Sequence, residues 1–383
     1  MPGVRRAFAP GWAAVRQAAP GLALAVALAT LARGTAQALA LGLGGLPKLP
    51  LSPVMCAVVL GMLWRNSVGV PAWATRGLDW AMHRLLRVGI ALVGLRLTLA
   101  GATAIAATAM PVALSCLTVA LLAGLLIARA LAVPRRLGLL LAIGTAVCGC
   151  TAVVAVSPVI RARHAETAFA VTCVVLFGCI AMLCYPWVAW HFLAASPVHA
   201  GIFLGTAIHD TSQVIGAALI YSQQAAAPAA LAAASVAKLL RNLSIAVLIP
   251  AAAWWVQRHE GAATGIRPVD TTHGSDAGSA GVPRSRPPVL PLFVLGFIGF
   301  IVVRTVGDAL HGTTSSLWPA IVNTGNTASE VFLTCGMTAV GLSVSFTDMW
   351  RIGWRPLAAG FVVAILVGSC SLLLTCGMVR FLT

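Results

Sequence analysis

The sequence predicts an all-α polytopic membrane protein, and its composition and segmentation lead to that prediction. Hydrophobic residues make up 60% of the 383 residues and charged residues only 9%, and the mean hydropathy is +0.95. About eleven apolar segments follow one another, separated by short polar stretches. The chain has 25 Lys and Arg against 9 Asp and Glu, and the basic residues lie mainly in those short stretches. This positive-inside pattern indicates a lipid bilayer, and not nucleic acid, as the partner of the basic residues.

The amino-terminal end is interpreted as a cytoplasmic segment followed by a first span. Residues 1–20 carry three arginines ahead of an apolar run, which is the arrangement expected on the cytoplasmic side. The tripeptide at 38–40 resembles a signal-peptide cleavage site, so a cleaved signal is the alternative. An uncleaved anchor is favoured because Arg33 interrupts the run and many spans follow.

The rest of the chain divides into two sets of membrane segments around a polar stretch. Residues 21–257 form the first set and residues 289–383 the second. Residues 258–288, rich in Gly, Ser, Thr and Pro, are predicted to be a flexible cytoplasmic linker. Later spans are expected at 51–64, 86–100, 110–128, 166–187, 229–249, 290–305, 317–346 and 352–378. Arg65, Arg76, Arg84 and Arg87 are assigned to a cytoplasmic loop after the second span.

One apolar run, residues 137–160, is broken in its middle by Cys148, Gly149 and Cys150, and Pro158 follows. Glycine costs backbone entropy in a helix and proline removes a hydrogen bond, so two short helices meeting at an unwound turn are expected. Unwound backbone at membrane depth is tolerated only inside protein or beside a cavity. The alternative is a run of small residues that lets two helices pack closely.

A near copy of this break occurs later in the chain. Gly205 to Val214 follows Gly144 to Val153 position for position, with polar residues where the first copy has small ones. Paired breaks in corresponding places indicate a transporter site between structural repeats, so both breaks are predicted to face one midplane cavity. The substrate-binding candidates are Thr145, Cys148, Gly149, Cys150 and Thr151 in the first copy and Ser212 and Gln213 in the second.

A second internal similarity links Gly336–Phe346 with Gly89–Leu99, and an apolar span follows each. Together with the broken segments it predicts inverted structural repeats over about 10–11 membrane segments. The broken segments either cross the membrane fully or enter and return as re-entrant hairpins. The hairpin count is favoured because it places all basic loops on the cytoplasmic side, although the matching elements then occur in a permuted order.

Ionisable residues inside the membrane are costly and therefore mark function. Lys238, Arg241 and Asn242 share one helix face, and two cations without acidic partners nearby are predicted to bind an anion. The alternative is that the two cations reach the interface or pair with Asp210 or Glu330. His209 and Asp210 are predicted to carry a proton, the alternative being a polar cap that holds the unwound turn.

The other polar residues are given smaller roles. Arg96, near the end of a span, is expected to extend to the interface. A group of polar residues precedes Gly336–Phe346 and comprises Asn323, Asn326, Thr327 and Glu330. Asn326 is a substrate-binding candidate. Asp79 and Asp308 are taken as ordinary end charges. The ten cysteines lack metal-binding spacing and are interpreted as small buried residues, so no metal or cofactor is expected.

Three motifs resemble a bacterial family of multi-pass membrane proteins usually labelled sulfate exporters. They are GTAVCGCTAVVAVSPVI, GTAIHDTSQVIGAA and KLLRN, and the resemblance covers residues 86–378. That family is similar to the bile acid, arsenite and riboflavin transporter superfamily and, more distantly, to cation/proton antiporters. The resemblance implies an inner-membrane secondary carrier with an inverted-repeat fold divided between a scaffold and a transport unit. Cys150 departs from the family, where glycine or alanine is commoner, and the superfamily's broken helices usually cross fully.

Three function classes follow from these features. A secondary carrier for a small anion, such as sulfate, sulfite or a sulfonate, explains the paired breaks and the basic pair, with His209 and Asp210 coupling it to protons. A monovalent cation/proton antiporter is the alternative, but it would need more mid-membrane carboxylates. An intramembrane enzyme would need a converging nucleophile and base, of which the sequence offers only part. The sequence leaves open whether the protein forms a homodimer.

Overall fold

The computed structural model describes residues 12–41, 51–244, 247–248, 251, 292–311, 317–345 and 354–382. Within these ranges every regular element is a helix, which confirms the prediction of an all-α membrane protein. The predicted cytoplasmic linker at 258–288 lies outside the described residues. The first helix begins at Trp12, inside the stretch that the sequence assigned to the amino-terminal segment.

The helices are numbered here in chain order. The first four are α1 (Trp12–Leu41), α2 (Pro53–Ser67), α3 (Ala72–Trp80) and α4 (Leu86–Val93). The next four are α5 (Leu99–Ala130), α6 (Arg135–Ala146), α7 (Cys150–Val156) and α8 (His164–Leu193). They are followed by α9 (Pro197–Ala207), α10 (Thr211–Gln224) and α11 (Pro228–Leu243). The last three are α12 (Leu292–His311), α13 (Leu317–Ser343) and α14 (Trp354–Leu382).

Five helices among the described residues are long and apolar enough to cross a membrane, which agrees with a multi-pass protein. They are Gln17–Leu41, Leu99–Ala130, Ala165–Leu193, Phe293–Leu310 and Trp354–Arg380. The helices on either side of the two predicted breaks are shorter than a bilayer requires. The predicted total of 10–11 segments and the inverted repeat stay predictions.

Two sequence-based expectations on the first half of the chain are wrong. Arg65 lies in the last turn of α2. Arg76, Arg84 and Arg87 are not in a loop either, because α3 continues into α4 through a π-helical turn at Ala81–Leu85. The span expected at 110–128 begins instead at Leu99, because the Thr98 side chain caps that helix by accepting a hydrogen bond from the Gly101 N–H at 3.2 Å.

The helices pack in two groups. The first comprises α1 to α4 with α12 and α13, in which α13 packs on α2 and α4, and α1 packs on α2 and α3. The second comprises α5 to α11 with α14, in which α14 packs on α5 and α9, and α9 packs on α11. The groups meet along α10, where Gly216 lies against Met337 of α13. Both predicted breaks lie in the second group, and α10, which follows the second break, lies at this boundary.

Candidate functional site

The first break separates α6 from α7 at Val147, Cys148 and Gly149. Gly149 has φ +58° and ψ −119°, a conformation that L side chains rarely adopt and that glycine adopts without strain. Its N–H donates to the carbonyl oxygen of Gly144 at 3.0 Å, which closes the end of α6. The conformational freedom of glycine therefore allows the break between the two helices.

The second break separates α9 from α10 at Ile208, His209 and Asp210. Asp210 is the N-cap of α10, and its Oδ2 accepts a hydrogen bond from the Ser212 N–H at 2.9 Å. A carboxylate in that place satisfies one of the unpaired amides of the first turn and opposes the positive end of the helix dipole. The second break is thus held by a side chain, whereas the first relies on glycine.

The two breaks are in contact with each other. A Cβ atom built on Gly149 would lie 3.2 Å from both Cβ and Oδ1 of Asp210, and 3.0 Å from Cγ1 of Val174. In the copied sequence Gly149 and Asp210 occupy the same position of the two copies. Corresponding points of the two breaks therefore face each other, and a methyl group between them would require Asp210 or Val174 to shift by a few tenths of an ångström.

Gly149→Ala is expected to destabilise the protein by about 1–3 kcal/mol, because alanine at this φ is strained and its methyl group would press on Asp210. The measurement is thermal unfolding of the detergent-purified protein. Gly299→Ala is the matched control, since Gly299 lies within α12 with open space around its Cβ position. Equal stability of the two variants would contradict the tight contact between the breaks.

Lys238 of α11 joins the two breaks from one side. Its side chain is fully buried, and Nζ donates to the carbonyl oxygen of Val147 at 2.7 Å. Nζ also donates to the carbonyl oxygens of Ile208, at 3.2 Å, and of His209. The three contacts use the full donor capacity of the ammonium group.

Arg241, one turn further along α11, makes an equivalent set of contacts. Nε and Nη2 donate to the Ala146 carbonyl oxygen at 3.0 and 2.6 Å, and Nη2 also donates to that of Thr145 at 2.6 Å. Nη1 donates to the Thr206 carbonyl oxygen in the second copy. The close crossing of α9 and α11 places the residue there, since Gly201 and Gly205 leave no room for side chains against the α11 backbone.

The basic pair therefore caps the carboxyl ends of the two interrupted helices. Arg241 binds Thr145 and Thr206, and Lys238 binds Val147 and Ile208, which are equivalent positions in the two copies. The last carbonyl groups of a helix have no partner within it, and basic side chains satisfy them and oppose the negative helix end. Contact of Lys238 and Arg241 with an anion stays a prediction; the contacts observed are with backbone oxygens.

A cavity of about 420 Å³ opens where the amino-terminal ends of α7 and α10 meet the first helix group. One wall is formed by Cys150 and Thr151 of α7 and by Asp210, Thr211 and Ser212 at the start of α10. The opposite wall comes from the continuous helix of α3 and α4 and from the end of α13. Its residues include Met82, His83, Leu86, Arg87, Ser343 and Ser345. The cavity thus lies between the two packing groups.

Four of the predicted site residues line this cavity, namely Cys150, Thr151, Asp210 and Ser212. Sequence reasoning missed Arg87 and His83 because the arginines of that stretch were assigned to a loop. A usable signal was present: His83 and Arg87 are spaced by four residues on the same helical face as Leu86 and Ile90.

The other predicted residues do not line the cavity. Gln213 is buried, and its amide donates to the Val175 carbonyl oxygen at 3.0 Å. Asn242 donates to the Thr211 hydroxyl at 3.3 Å. His209 is 2% exposed, and neither ring nitrogen has a hydrogen-bond partner among the described residues. Thr145 and Cys148 are buried beside the first break, and Asn326 lies on α13 in the first helix group.

Two charged residues depart from their expected roles. Arg96 does not extend to the interface, because its Nη2 lies 2.7 Å from Oε1 of Glu330 and its side chain is only 10% exposed. Glu330 therefore pairs with Arg96 and not with the basic pair of α11. Asp308 is not an isolated end charge, since it accepts hydrogen bonds from Arg304 at 2.7 Å and from Trp318 at 2.7 Å. Both networks lie in the first helix group.

The helical architecture, the apolar spans and the absence of strands from the described residues define a multi-pass α-helical membrane protein. The chain belongs to the family described as conserved hypothetical protein 698, whose family model matches residues 20–360. This range includes both breaks, the basic pair of α11 and the cavity-lining residues.

Relatives in other bacteria are similar along most of their length and are named UPF0324 membrane proteins. The relative in Ralstonia nicotianae is 32% identical over 337 residues, covering 85% of each chain. The relative in Bacillus cereus is 28% identical over 327 residues, covering 84% of this chain and 86% of its own. The relative in Pseudomonas putida is 28% identical over 338 residues, covering 87% of each chain. No solved structure matches the chain.

Proposed function

We propose that this protein is a secondary active transporter that exports a small anion across the inner membrane. The substrate class is sulfate, sulfite or a related sulfur oxyanion or sulfonate, as the motif resemblance implies. The observation that carries the proposal is the contact between two helix breaks beside one cavity. Helix breaks in membrane proteins are tolerated beside cavities, where transporters use the freed helix ends to bind solutes.

The location of the cavity between two helix groups also supports transport. A site with one wall on each group changes its access when one group shifts against the other. Such a shift is what alternating access to the two membrane faces requires. The capped carboxyl ends of α6 and α9 hold the two breaks together as one unit through Lys238 and Arg241, so the breaks would move with α11 as a rigid body.

Asp210 is the proposed proton carrier, with His209 beside it. Asp210 lines the cavity, and carboxylates at such intramembrane positions form the proton relays of pumps and transporters. The same residue supports the alternative, a monovalent cation/proton antiporter, because a cavity carboxylate can also bind a cation. The anion carrier is preferred because Arg87 lines the opposite wall.

The experiment is flux into proteoliposomes that hold the purified protein. Labelled sulfate, methanesulfonate and acetate are compared with sodium and potassium, each with and without a pH gradient. Flux of a sulfur anion above that of protein-free liposomes, increased by the pH gradient, is the expected result. Flux of sodium or potassium without any anion flux would establish the antiporter instead.

A further inference from the structure

The cavity has one wall that carries positive charge, and that wall is not where the buried basic pair lies. Met82, Leu86 and Ile90 form an apolar column along the helix, and His83 and Arg87 form a second column beside it. Lys238 and Arg241 are absent from the lining and have their donors bound to backbone oxygens. Of the described lining residues, Arg87 is the one that carries a fixed positive charge.

A π-helical turn at Ala81–Leu85 contains His83 and immediately precedes the helical turn that contains Arg87. The Leu86 N–H bonds to the carbonyl oxygen of Ala81, five residues back, so the turn is wider than an α-helical one. His83 and Arg87 then lie one turn apart on the face that borders the cavity. His83 Nδ1 donates to the Asp79 carbonyl oxygen at 2.9 Å, so Nε2 can donate to an anion only when the ring carries its second proton.

The opposite wall offers hydrogen bonds and one negative charge. The Thr151 and Ser212 hydroxyl groups line it, together with the carboxylate of Asp210. Asp210 and Arg87 line the same cavity, yet the structure shows no ion pair between them within 4.0 Å among the described residues. The cavity volume of about 420 Å³ lies within the range of about 300–1,000 Å³ that is usual for small-ligand sites.

We propose that Arg87, with His83 one turn before it, is the anion-binding group of this transporter. This inference rests on the proposed function and adds to it the identity of the charged contact. The ligand is a small oxyanion or sulfonate that pairs with the Arg87 guanidinium across the cavity. The planar guanidinium donates two parallel hydrogen bonds to two oxygens of such an anion, while Thr151 and Ser212 donate from the other wall. Lys238 and Arg241 are positioning residues that shape the breaks.

The test compares Arg87→Gln with Arg84→Gln, because Arg84 is exposed on the same helix, three residues earlier, and does not line the cavity. Sulfate and methanesulfonate are titrated against the thermal unfolding midpoint of each purified variant, with chloride added to hold the ionic strength constant. Arg87→Gln should raise the anion concentration needed for a given shift by about ten- to a hundredfold. Arg84→Gln should match the wild type, and Arg87→Lys should recover part of the affinity.

The outcomes separate this inference from the proposed function. If the wild type binds and transports a sulfur anion and Arg87→Gln does so equally well, Arg87 is not the binding group and the transporter proposal stands. If the wild type transports no anion, both fall. Gel filtration and the unfolding midpoint without anion show whether Arg87→Gln is folded. If Arg87→Gln is misfolded, Arg87→Lys is compared with the wild type instead. Wild-type anion affinity in Arg87→Lys would contradict bidentate binding at this position.

Discussion

Arg241→Ala is expected to abolish accumulation of the folded protein. The substitution removes donors from the buried carbonyl groups of Thr145, Ala146 and Thr206. Leaving one buried polar group unsatisfied costs about 1–3 kcal/mol, and three of them together consume much of the about 5–15 kcal/mol by which a typical protein is stable. The effect should therefore appear as loss of folded protein before any effect on substrate affinity can be measured.

The measurement is the yield and unfolding midpoint of the protein in detergent, with Arg135→Ala as the control. Arg135 is an exposed arginine at the start of α6, the helix that ends at the first break. Arg241→Lys keeps the charge but loses the planar set of guanidinium donors, so its stability should lie between those of the wild type and Arg241→Ala. A stable Arg241→Ala protein with weakened anion binding would instead support the direct substrate contact that the sequence suggests.

Asp210→Asn is expected to abolish the dependence of net flux on the pH gradient while leaving the protein stable. Asparagine is about as good an N-cap as aspartate, so the bond from the Ser212 N–H is retained and the change in the free energy of unfolding should be within about 0.5 kcal/mol. An amide does not titrate, so a proton can no longer be carried at this position. Exchange of anion for anion should persist, because the opposite wall is unchanged.

Asp210→Ala separates the cap from the proton. It removes both, and it should lower stability by about 0.5–2 kcal/mol in addition to losing the pH dependence. Thermal unfolding, anion exchange and pH-driven flux are measured on the same preparations of both variants. An Asp210→Asn protein that is destabilised but still responds to the pH gradient would assign Asp210 a purely structural role.

The breaks themselves could be located from sequence because their causes are local. Gly149 interrupts its helix through its own backbone freedom, and Asp210 begins the next helix by bonding to an amide two residues away. Apolar runs likewise identified the class of protein, since bilayer thickness demands them of a spanning helix. Such features depend on residues within one or two turns of each other.

The partners of the charged residues could not be located in this way. The guanidinium of Arg241 reaches carbonyl groups 95 or more residues away for Thr145 and Ala146 and 35 away for Thr206. Arg96 pairs with Glu330 across 234 residues. The sequence pattern of two basic residues on one helix face is compatible with an anion or with a set of backbone oxygens as their partner. Only the packing of α11 on α9 decides which partner they contact.

The sequence by itself determined the membrane class, the positions of both breaks and four of the residues that line the cavity. The tertiary structure decided which cation faces that cavity. Arg87 was assigned to a loop from its neighbours, but a π-helical turn at Ala81–Leu85 joins α3 to α4, so Arg87 lies on a continuous helix and lines the cavity. The buried guanidinium of Arg241, by contrast, takes its direction from carbonyl groups of other helices, because a buried charge is tolerated only where partners surround it.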